Sequence, residues 1–426
     1  MRSAGTDLRK GCYGDRQVRL LARRKRLGIE VMNLTFVNFG DWPGWIVFGA
    51  GTVSRLTEIV VRVGGSRAMI ICGSTVARSA MLAKVKAALG DKLAVVFAEV
   101  TSHTPIEMVK RGVDTFRQSG ADVLVTVGGG STIDAGKAIA IMLATGGDLA
   151  RYAIRYTPGG EVERQSLPGR TVPHIAVPTT AGSASDVMPT ASCRDPATSR
   201  KLLFWDDDIT PAATVLDPEM AVHTPPLLTA ATGMTAMARA VEALYSGRRH
   251  PISTGLALHA VRLLRDGLPR SVEAPDDLEA RGACQMAAAM SGIAAINAMV
   301  SIVHAVGHIV GGRYALQHGI SHAILLAPAM RQLVAVVGSE QTLLLEALGG
   351  VGGVRGANPD QDGAEAADRI AALVGRLPLP QRLSEVGIAE SELSEIARLT
   401  MSDYMMANLP RPMAEADVRT LLSSVW

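Results

Sequence analysis

The most informative segment of the sequence is Val123-Leu124-Val125-Thr126-Val127, followed directly by Gly128-Gly129-Gly130-Ser131-Thr132-Ile133-Asp134-Ala135-Gly136-Lys137. Its first five residues predict a buried strand, and the residues after the glycines predict a helix. Glycine has no Cβ, so the turn lets the backbone approach an anion that the first N–H groups of the helix can bind. The motif therefore predicts a phosphate site, although a structural tight turn is the alternative because GxGxxG is absent.

Short apolar runs on both sides of this stretch predict further strands at 45–48, 68–72, 93–97 and 175–177. Helix-length segments separate most of them, which is typical of a parallel sheet covered on both faces. After residue 216, Ala/Leu/Met-rich segments with a period of 3.6 predict helices near 227–246, 252–269, 276–299, 300–312 and 321–337, and the Gly-rich stretch 349–363 predicts a loop. We therefore predict an α/β domain at 32–216 and an all-α domain at 217–426.

A second loop, Val177-Pro178-Thr179-Thr180-Ala181-Gly182-Ser183-Ala184-Ser185-Asp186, follows the strand at 175–177. Its hydroxyl groups suit contacts with a ribose, a phosphate or an amide, and a plain Ser/Thr turn is the alternative. The helical half holds a histidine cluster, His304, His308, His318 and His322, with the first two one helical turn apart. Titratable groups concentrate in clefts, so the cluster predicts a functional site, whereas a lone helical histidine is usually structural.

These motifs, in this order, resemble the iron-containing alcohol dehydrogenase family from about Phe48 onward. Further matches are Leu216-Asp217-Pro218-Glu219 and Thr229-Ala230-Ala231-Thr232-Gly233-Met234. The resemblance implies an N-terminal dinucleotide-binding domain, a helical C-terminal domain and a substrate site in the cleft between them. It also implies NAD or NADP as cofactor. The cofactor-binding residues that we predict are Gly73, Gly128, Gly129, Gly130, Ser131, Asp134, Thr179, Thr180 and Ser183.

Typical family members bind a divalent metal through one Asp and three His, and this chain departs from that pattern. Two ligand positions match His304 and His318, whereas the other two hold Thr235 and Arg239. A permanent cation beside two imidazoles would hold a divalent ion poorly, so we expect no bound metal. Recruitment of an ion by His308 or His322 is the alternative.

The departure resembles the maleylacetate reductase branch of the family, through His103-Thr104-Pro105, the segment 236–245 and His250-Pro251-Ile252. That branch usually has a His where this chain has Arg239, and its loop differs at 184–186. The resemblance implies a metal-independent reductase of an oxo acid. An ordinary metal-dependent alcohol dehydrogenase, a non-catalytic dinucleotide-binding homologue and a lyase related to dehydroquinate synthase are the alternatives.

Catalysis of hydride transfer needs a group that stabilises the developing alkoxide and a group that supplies a proton. We hypothesise that Arg239 provides the first, or binds a substrate carboxylate, and that His304, His308 or His318 provides the second. The alternative is that Arg239 only fills the vacated metal cavity beside a charge partner such as Glu242 or Asp186. Family members that prefer NAD often have an Asp near Gly73, so we expect NADP to be accepted here.

Composition limits the remaining classes of function. The net charge of +3 comes from residues 1–31, where nine Lys/Arg stand against three Asp/Glu, while the rest of the chain holds 34 basic and 37 acidic residues. We therefore expect a disordered basic extension at 1–31, with a transit peptide as the alternative, and no binding of nucleic acid. Apolar runs shorter than about 18 residues predict no membrane span. Four scattered cysteines fit the cytoplasm, and the family resemblance implies a homodimer that acts on a small molecule.

Overall fold

The computed structural model describes residues 44–101, 104–155, 163–195, 200–314, 316–351 and 358–426. The predicted basic extension at 1–31 and the first residues of the predicted α/β domain lie outside this description. His103, the first residue of one of the branch motifs, lies outside it as well.

A six-stranded parallel sheet organises the N-terminal half, with the strand order β1-β8-β5-β4-β2-β3. A two-stranded antiparallel hairpin, β6–β7, lies outside this sheet. The strands are β1 (Trp45–Phe48), β2 (Ala68–Gly73), β3 (Leu93–Val100), β4 (Val123–Gly128), β5 (His174–Pro178), β6 (Thr190–Asp195), β7 (Arg200–Trp205) and β8 (Ala213–Leu216). The runs predicted as strands are all strands, and the hairpin and β8 are additions that the sequence patterns did not predict.

Helices cover both faces of the sheet, which explains why its central strands are apolar on both faces. They are α1 (Leu56–Arg62), α2 (Ser74–Ala77), α3 (Ala80–Leu89), α4 (Ile106–Ser119), α5 (Gly130–Thr145) and α6 (Leu149–Tyr152). Apolar residues of α4 and α5 pack on one face of the sheet, and those of α1 and α3 pack on the other.

The C-terminal half is helical. Its helices are α7 (Pro226–Tyr245), α8 (Pro251–Glu273), α9 (Leu278–Ala298), α10 (Ile302–Tyr314), α11 (His318–Val337), α12 (Glu340–Ala347), α13 (Pro359–Gly375), α14 (Leu393–Thr400) and α15 (Glu415–Ser424). The predicted fold class, a parallel α/β part followed by a helical part, is confirmed. The prediction of a loop at 349–363 is wrong from Pro359 onward, because α13 begins there. Proline suits the first turn of a helix.

Helix α11 is long and apolar enough to cross a membrane by length and composition, and so is the bent pair α9–α10 taken as one span. In α11, 61% of the most apolar window is buried within the helical half. Its apolar residues belong to the main core cluster together with those of α7 and α13. Helix α11 is therefore packed as a core helix of this fold.

Candidate active site

The glycine turn lies at the carboxyl end of β4, where α5 begins at Gly130. A Cβ at Gly130 would lie 2.6 Å from the Cβ of Ser183, and a Cβ at Gly128 would lie 2.4 Å from the Oγ1 of Thr132. Contacts this short do not occur at real Cβ atoms, so neither position accepts a larger residue without movement of its neighbour. The turn thus brings bare backbone and the positive end of a helix to the edge of the sheet, an arrangement that suits an anion.

The other residues predicted around the cofactor lie beside this turn. The backbone N–H of Thr179 donates to the carbonyl oxygen of Gly128 at 3.1 Å. A Cβ at Gly129 would lie 3.3 Å from the Oγ1 of Thr180. Parallel pairing of β4 with β5 therefore brings the two predicted loops together at one edge.

Gly73 and Ser131 lie at the same edge. Gly73 ends β2, whose preceding residue Cys72 pairs with Val127 of β4. The carbonyl oxygen of Ser131 accepts a hydrogen bond of 3.0 Å from the hydroxyl of Thr104. Gly73 therefore borders the glycine turn on the β2 side, whereas Ser183 borders it on the side of the helical half.

The carboxylate of Asp134 binds protein groups within the α/β half. It accepts hydrogen bonds from the hydroxyl of Ser185 at 2.6 Å, and from the N–H and hydroxyl of Ser192 at 3.1 and 2.9 Å. These three bonds attach the segment 185–192 to α5. A contact of Asp134 with the cofactor stays a prediction.

Lys137, one turn further along α5, reinforces the same attachment. Its Nζ donates to the carbonyl oxygens of Met188 at 2.6 Å and Thr190 at 2.8 Å. Burial lowers the pKa of Lys137 to about 8, and the carboxylates of Asp134 and Asp186 oppose this shift. Helix α5 therefore fixes the path of the chain beyond Ser183, and sequence patterns did not indicate this role.

Arg239 links the helical half to the second loop. Its side chain is buried in α7, where Nη2 donates to the carbonyl oxygen of Ser183 at 3.0 Å and Nη1 donates to the hydroxyl of Ser291 at 3.2 Å. Burial lowers the pKa of the guanidinium to about 10, while Asp186 and Glu242 oppose this shift. Arg239 thus carries a full positive charge at neutral pH, next to the residue that packs on Gly130.

Glu242, one turn after Arg239, orients the first histidine of the cluster. Its Oε1 accepts the backbone N–H groups of Ser301 and Val303 at 3.1 and 2.8 Å, and its Oε2 pairs with the Nδ1 of His304. Burial raises the pKa of Glu242 to about 7, and these hydrogen bonds oppose the rise. The pairing with Glu242 therefore fixes the orientation of the His304 ring.

The four histidines predicted as a cluster do lie together. The ring centroids of His304 and His322 are 4.2 Å apart, those of His318 and His322 are 6.0 Å apart, and those of His308 and His318 are 5.8 Å apart. Burial lowers the pKa of His304, His318 and His322 well below the usual value. The positive charge of Arg239 lowers the pKa of His304 and His322 further. These three rings are therefore neutral at neutral pH.

A close approach of two helices brings the cluster beside α7. A Cβ at Gly319 would lie 1.7 Å from the carbonyl oxygen of Ala231, so only glycine fits where α11 crosses α7. This crossing sets His318 at the start of α11 near the helix that carries Arg239. Within the described part of the chain, the Nε2 of His304 and both ring nitrogens of His322 are buried without a hydrogen-bond partner.

The side chains at the four metal-ligand positions do not fit a divalent ion. The hydroxyl of Thr235 donates to the carbonyl oxygen of Ala231 at 3.3 Å, and Arg239 is a buried cation. Across residues 44–426, leaving aside the undescribed gaps, no group of three His, Cys, Asp or Glu residues is arranged to hold a metal. Only His304 and His318 keep the chemistry of the family's ligand set.

Asp403 is a neighbour of the cluster that sequence reasoning missed. The Nδ1 of His308 and the Oδ2 of Asp403 form a hydrogen bond of 2.8 Å, across 95 positions of sequence. No local pattern around Asp403 indicates this contact, because it depends on how the segment after α14 packs on α10. Glu242, in contrast, lies within the segment 236–245, and the sequence predicts it as a possible charge partner of Arg239.

Comparison with known proteins places these motifs in one family. A family model described as "Iron-containing alcohol dehydrogenase" matches residues 43–218, and one described as "Fe-containing alcohol dehydrogenase family, C-terminal" matches residues 229–426. Together the two matches cover both halves of the structure.

Individual relatives give the same picture. The NAD-dependent methanol dehydrogenase of Bacillus methanolicus is 30% identical over 387 residues, which cover 90% of this chain and 98% of that protein. The maleylacetate reductase of Rhizobium sp. (strain MTP-10005) is 29% identical over 385 residues, which cover 90% of this chain and 96% of that protein. A crystal structure of a 1,3-propanediol oxidoreductase superposes with a TM-score of 0.84 at 28% identity, covering 90% of this chain and 98% of that one. Near-equal identities to an alcohol dehydrogenase and a maleylacetate reductase do not single out one substrate.

Proposed function

Because the chain belongs to the iron-containing alcohol dehydrogenase family, we propose that it is a nicotinamide-dependent reductase that works without a catalytic metal on an oxo-acid substrate. The observation that carries this proposal is the buried guanidinium of Arg239, hydrogen-bonded to the carbonyl oxygen of Ser183 at 3.0 Å. A divalent ion at this position would face that cation at close range, without the carboxylate that the family supplies.

The charge of Arg239 suits the electrostatic step of the reaction. When hydride passes from the dihydronicotinamide to a carbonyl carbon, the carbonyl oxygen becomes an alkoxide that a fixed positive charge stabilises. Two of the five N–H groups of the guanidinium bind Ser183 and Ser291, and the proposal assigns the remaining N–H groups to the alkoxide or to a substrate carboxylate. An oxo acid offers both kinds of oxygen, which is why we favour it over a simple aldehyde.

The proton that completes the reduction comes from the histidine cluster in this proposal. A histidine near the cleft passes a proton to the alkoxide and regains it from water, so that one hydride and one proton convert the carbonyl to an alcohol. His304, His308 and His318 are the predicted candidates. Because burial lowers the pKa of His304 and His318, we favour His308, which lies outside the former ligand set and whose ring is paired with the carboxylate of Asp403.

The cofactor end of the cleft accepts NADP as well as NAD in this proposal. Gly73 has no carboxylate to repel a 2′-phosphate, and the two residues after it, Ser74 and Thr75, are exposed and uncharged. Parallel titrations with NADH and NADPH test this point, and an exclusive use of NADH would contradict it.

Substitution of Arg239 tests the proposal as a whole. We expect Arg239→Ala to lower kcat/KM by about 10²- to 10³-fold, the usual cost of removing a group that stabilises transition-state charge, and Arg239→Lys to lower it less. Arg281→Lys is the matched control for Arg239→Lys, because Arg281 is also buried in the helical half but binds Pro275, Thr224 and Thr229 instead of Ser183. Near-normal kcat/KM in both Arg239 variants would refute the electrostatic role. Arg239 would then have only the structural role of filling the vacated metal cavity.

A panel of oxo acids and aldehydes, assayed with and without chelator, separates the alternatives. Oxidation of NAD(P)H that chelator does not change supports the metal-free reductase, whereas activity lost on chelation would identify a metal-dependent alcohol dehydrogenase. Cofactor binding without turnover would identify a non-catalytic homologue.

We also propose that the protein is cytoplasmic, in keeping with its scattered cysteines, and that it is a homodimer, as the family implies. Light scattering on the purified protein measures the mass of the particle, and a mass of one chain would contradict the dimer.

A further inference from the structure

We propose that Asp403 is a positioning residue for the reaction, and that it acts by fixing the tautomer and orientation of His308. This inference rests on the proposed function, and it names a residue that neither the motifs nor the comparisons indicate. Its geometric basis is the hydrogen bond of 2.8 Å from the Nδ1 of His308 to the Oδ2 of Asp403.

The carboxylate of Asp403 is itself held in place. Its side chain is 4% exposed, and its Oδ1 accepts the backbone N–H of Met405 at 2.9 Å. The short helical segment Tyr404–Asn408 that follows is fixed at its far end, where the amide of Asn408 donates to the carbonyl oxygen of Val300 at 3.1 Å. Both carboxylate oxygens therefore have fixed partners, and the direction in which Asp403 faces His308 is set by the fold.

A carboxylate bound at Nδ1 decides what the other nitrogen of the ring can do. With its proton on Nδ1, neutral His308 presents a lone pair at Nε2 and accepts the proton of an alcohol. In the direction of reduction, the carboxylate stabilises the imidazolium that donates a proton from Nε2 to the alkoxide. Asp403 supports both directions without touching the substrate.

His308 differs from its neighbour His304 in exposure to solvent. The side chain of His308 is 24% exposed, whereas that of His304 is 9% exposed and is bound to buried Glu242. A proton that enters from water reaches His308 without crossing the packed core. We therefore assign the proton transfer to His308, with Asp403 as the carboxylate that positions it.

The variant Asp403→Asn tests this inference, because the amide keeps the size of the carboxylate and removes its charge. We expect kcat to fall at least about tenfold while KM changes little, since the tautomer and the stabilisation of the imidazolium are lost but substrate contacts are not. The matched control is Asp362→Asn, another buried carboxylate of the helical half, which accepts a hydrogen bond of 2.5 Å from the hydroxyl of Thr342. A similar loss of kcat in the control would overturn the inference, because any buried carboxylate would then have the same effect.

Nuclear magnetic resonance of the full-length protein with ¹⁵N-labelled histidine gives a readout that does not depend on turnover. The His308 signals are assigned by their loss in His308→Gln, and we expect the resting protein to show the tautomer with the proton on Nδ1. A proton on Nε2 in the unmodified protein would overturn the inference even if Asp403→Asn failed to fold. Failure of the proposed function looks different: the unmodified protein would then lack turnover while His308 kept the expected tautomer.

Discussion

Replacement of Gly130 by alanine tests whether the glycine turn is the cofactor site. The added Cβ would lie 2.6 Å from the Cβ of Ser183 and 2.9 Å from its Oγ, whereas ordinary contacts begin at 3.4 Å. Ser183 must therefore move by about 0.8 Å, and its carbonyl oxygen is bound to Arg239. Overpacking of this kind costs about 1–3 kcal/mol. If the loop returns to its place only when the cofactor binds, the dissociation constant rises roughly 5- to 150-fold.

Fluorescence titration of NADH and NADPH measures this change, and urea unfolding shows how much of the cost appears as lost stability. Gly375→Ala, at the end of α13, is the matched control, because a Cβ there meets no atom within 4 Å. If Gly130→Ala had the cofactor affinity and the stability of the unmodified protein, the prediction would be wrong, since the contact with Ser183 would then cost no free energy.

Three further predictions follow from buried groups and from the end of β2. Burial lowers the pKa of His174 to about 3. As the pH drops below about 6.5, His174 therefore binds a proton in the unfolded chain but not in the folded chain, so the free energy of unfolding falls. Between pH 7.5 and pH 5.5, the free energy of unfolding measured in urea should fall by about 1–2 kcal/mol because of this residue alone. The fall should be smaller in His174→Gln. Equal free energies of unfolding at the two pH values would contradict the prediction. Gly73→Asp should weaken the binding of NADPH about tenfold more than the binding of NADH in parallel titrations. An equal effect on both cofactors would exclude charge repulsion as the cause. Lys137→Met leaves two buried carbonyl oxygens without their donor and should lower the free energy of unfolding by about 2–4 kcal/mol. An unchanged free energy of unfolding would contradict this prediction and would mean that water replaces the ammonium group.

The parts of the fold that local patterns encode could be predicted. The strand of 123–127 and its glycine turn follow from four apolar residues and one threonine before three glycines, and α7 to α11 follow from the period of their apolar residues. Strand β8, of four residues, was missed because its place between β1 and β5 depends on pairing with residues far away in sequence. The start of α13 was misread although Asn358-Pro359 carries a helix-start signal, since the glycines before it outweighed that signal in the pattern.

The candidate site divides in the same way. The turn residues and the histidine cluster were found because their residue types are close in sequence. The contacts that orient these side chains could not be predicted, because they join segments that are distant in sequence. They are Arg239 with Ser183, Glu242 with His304, and His308 with Asp403. Residue types therefore predicted which chemistry is present, whereas the partner of each group depended on the packing of the helical half.

The most direct test of metal-free hydride transfer is the oxidation of NAD(P)H with oxo acids by protein whose metal content has been measured after chelation. We predict that protein with less than about 0.1 metal ion per chain has the same kcat/KM as untreated protein. Loss of activity on chelation, with recovery on adding a divalent metal, would contradict it.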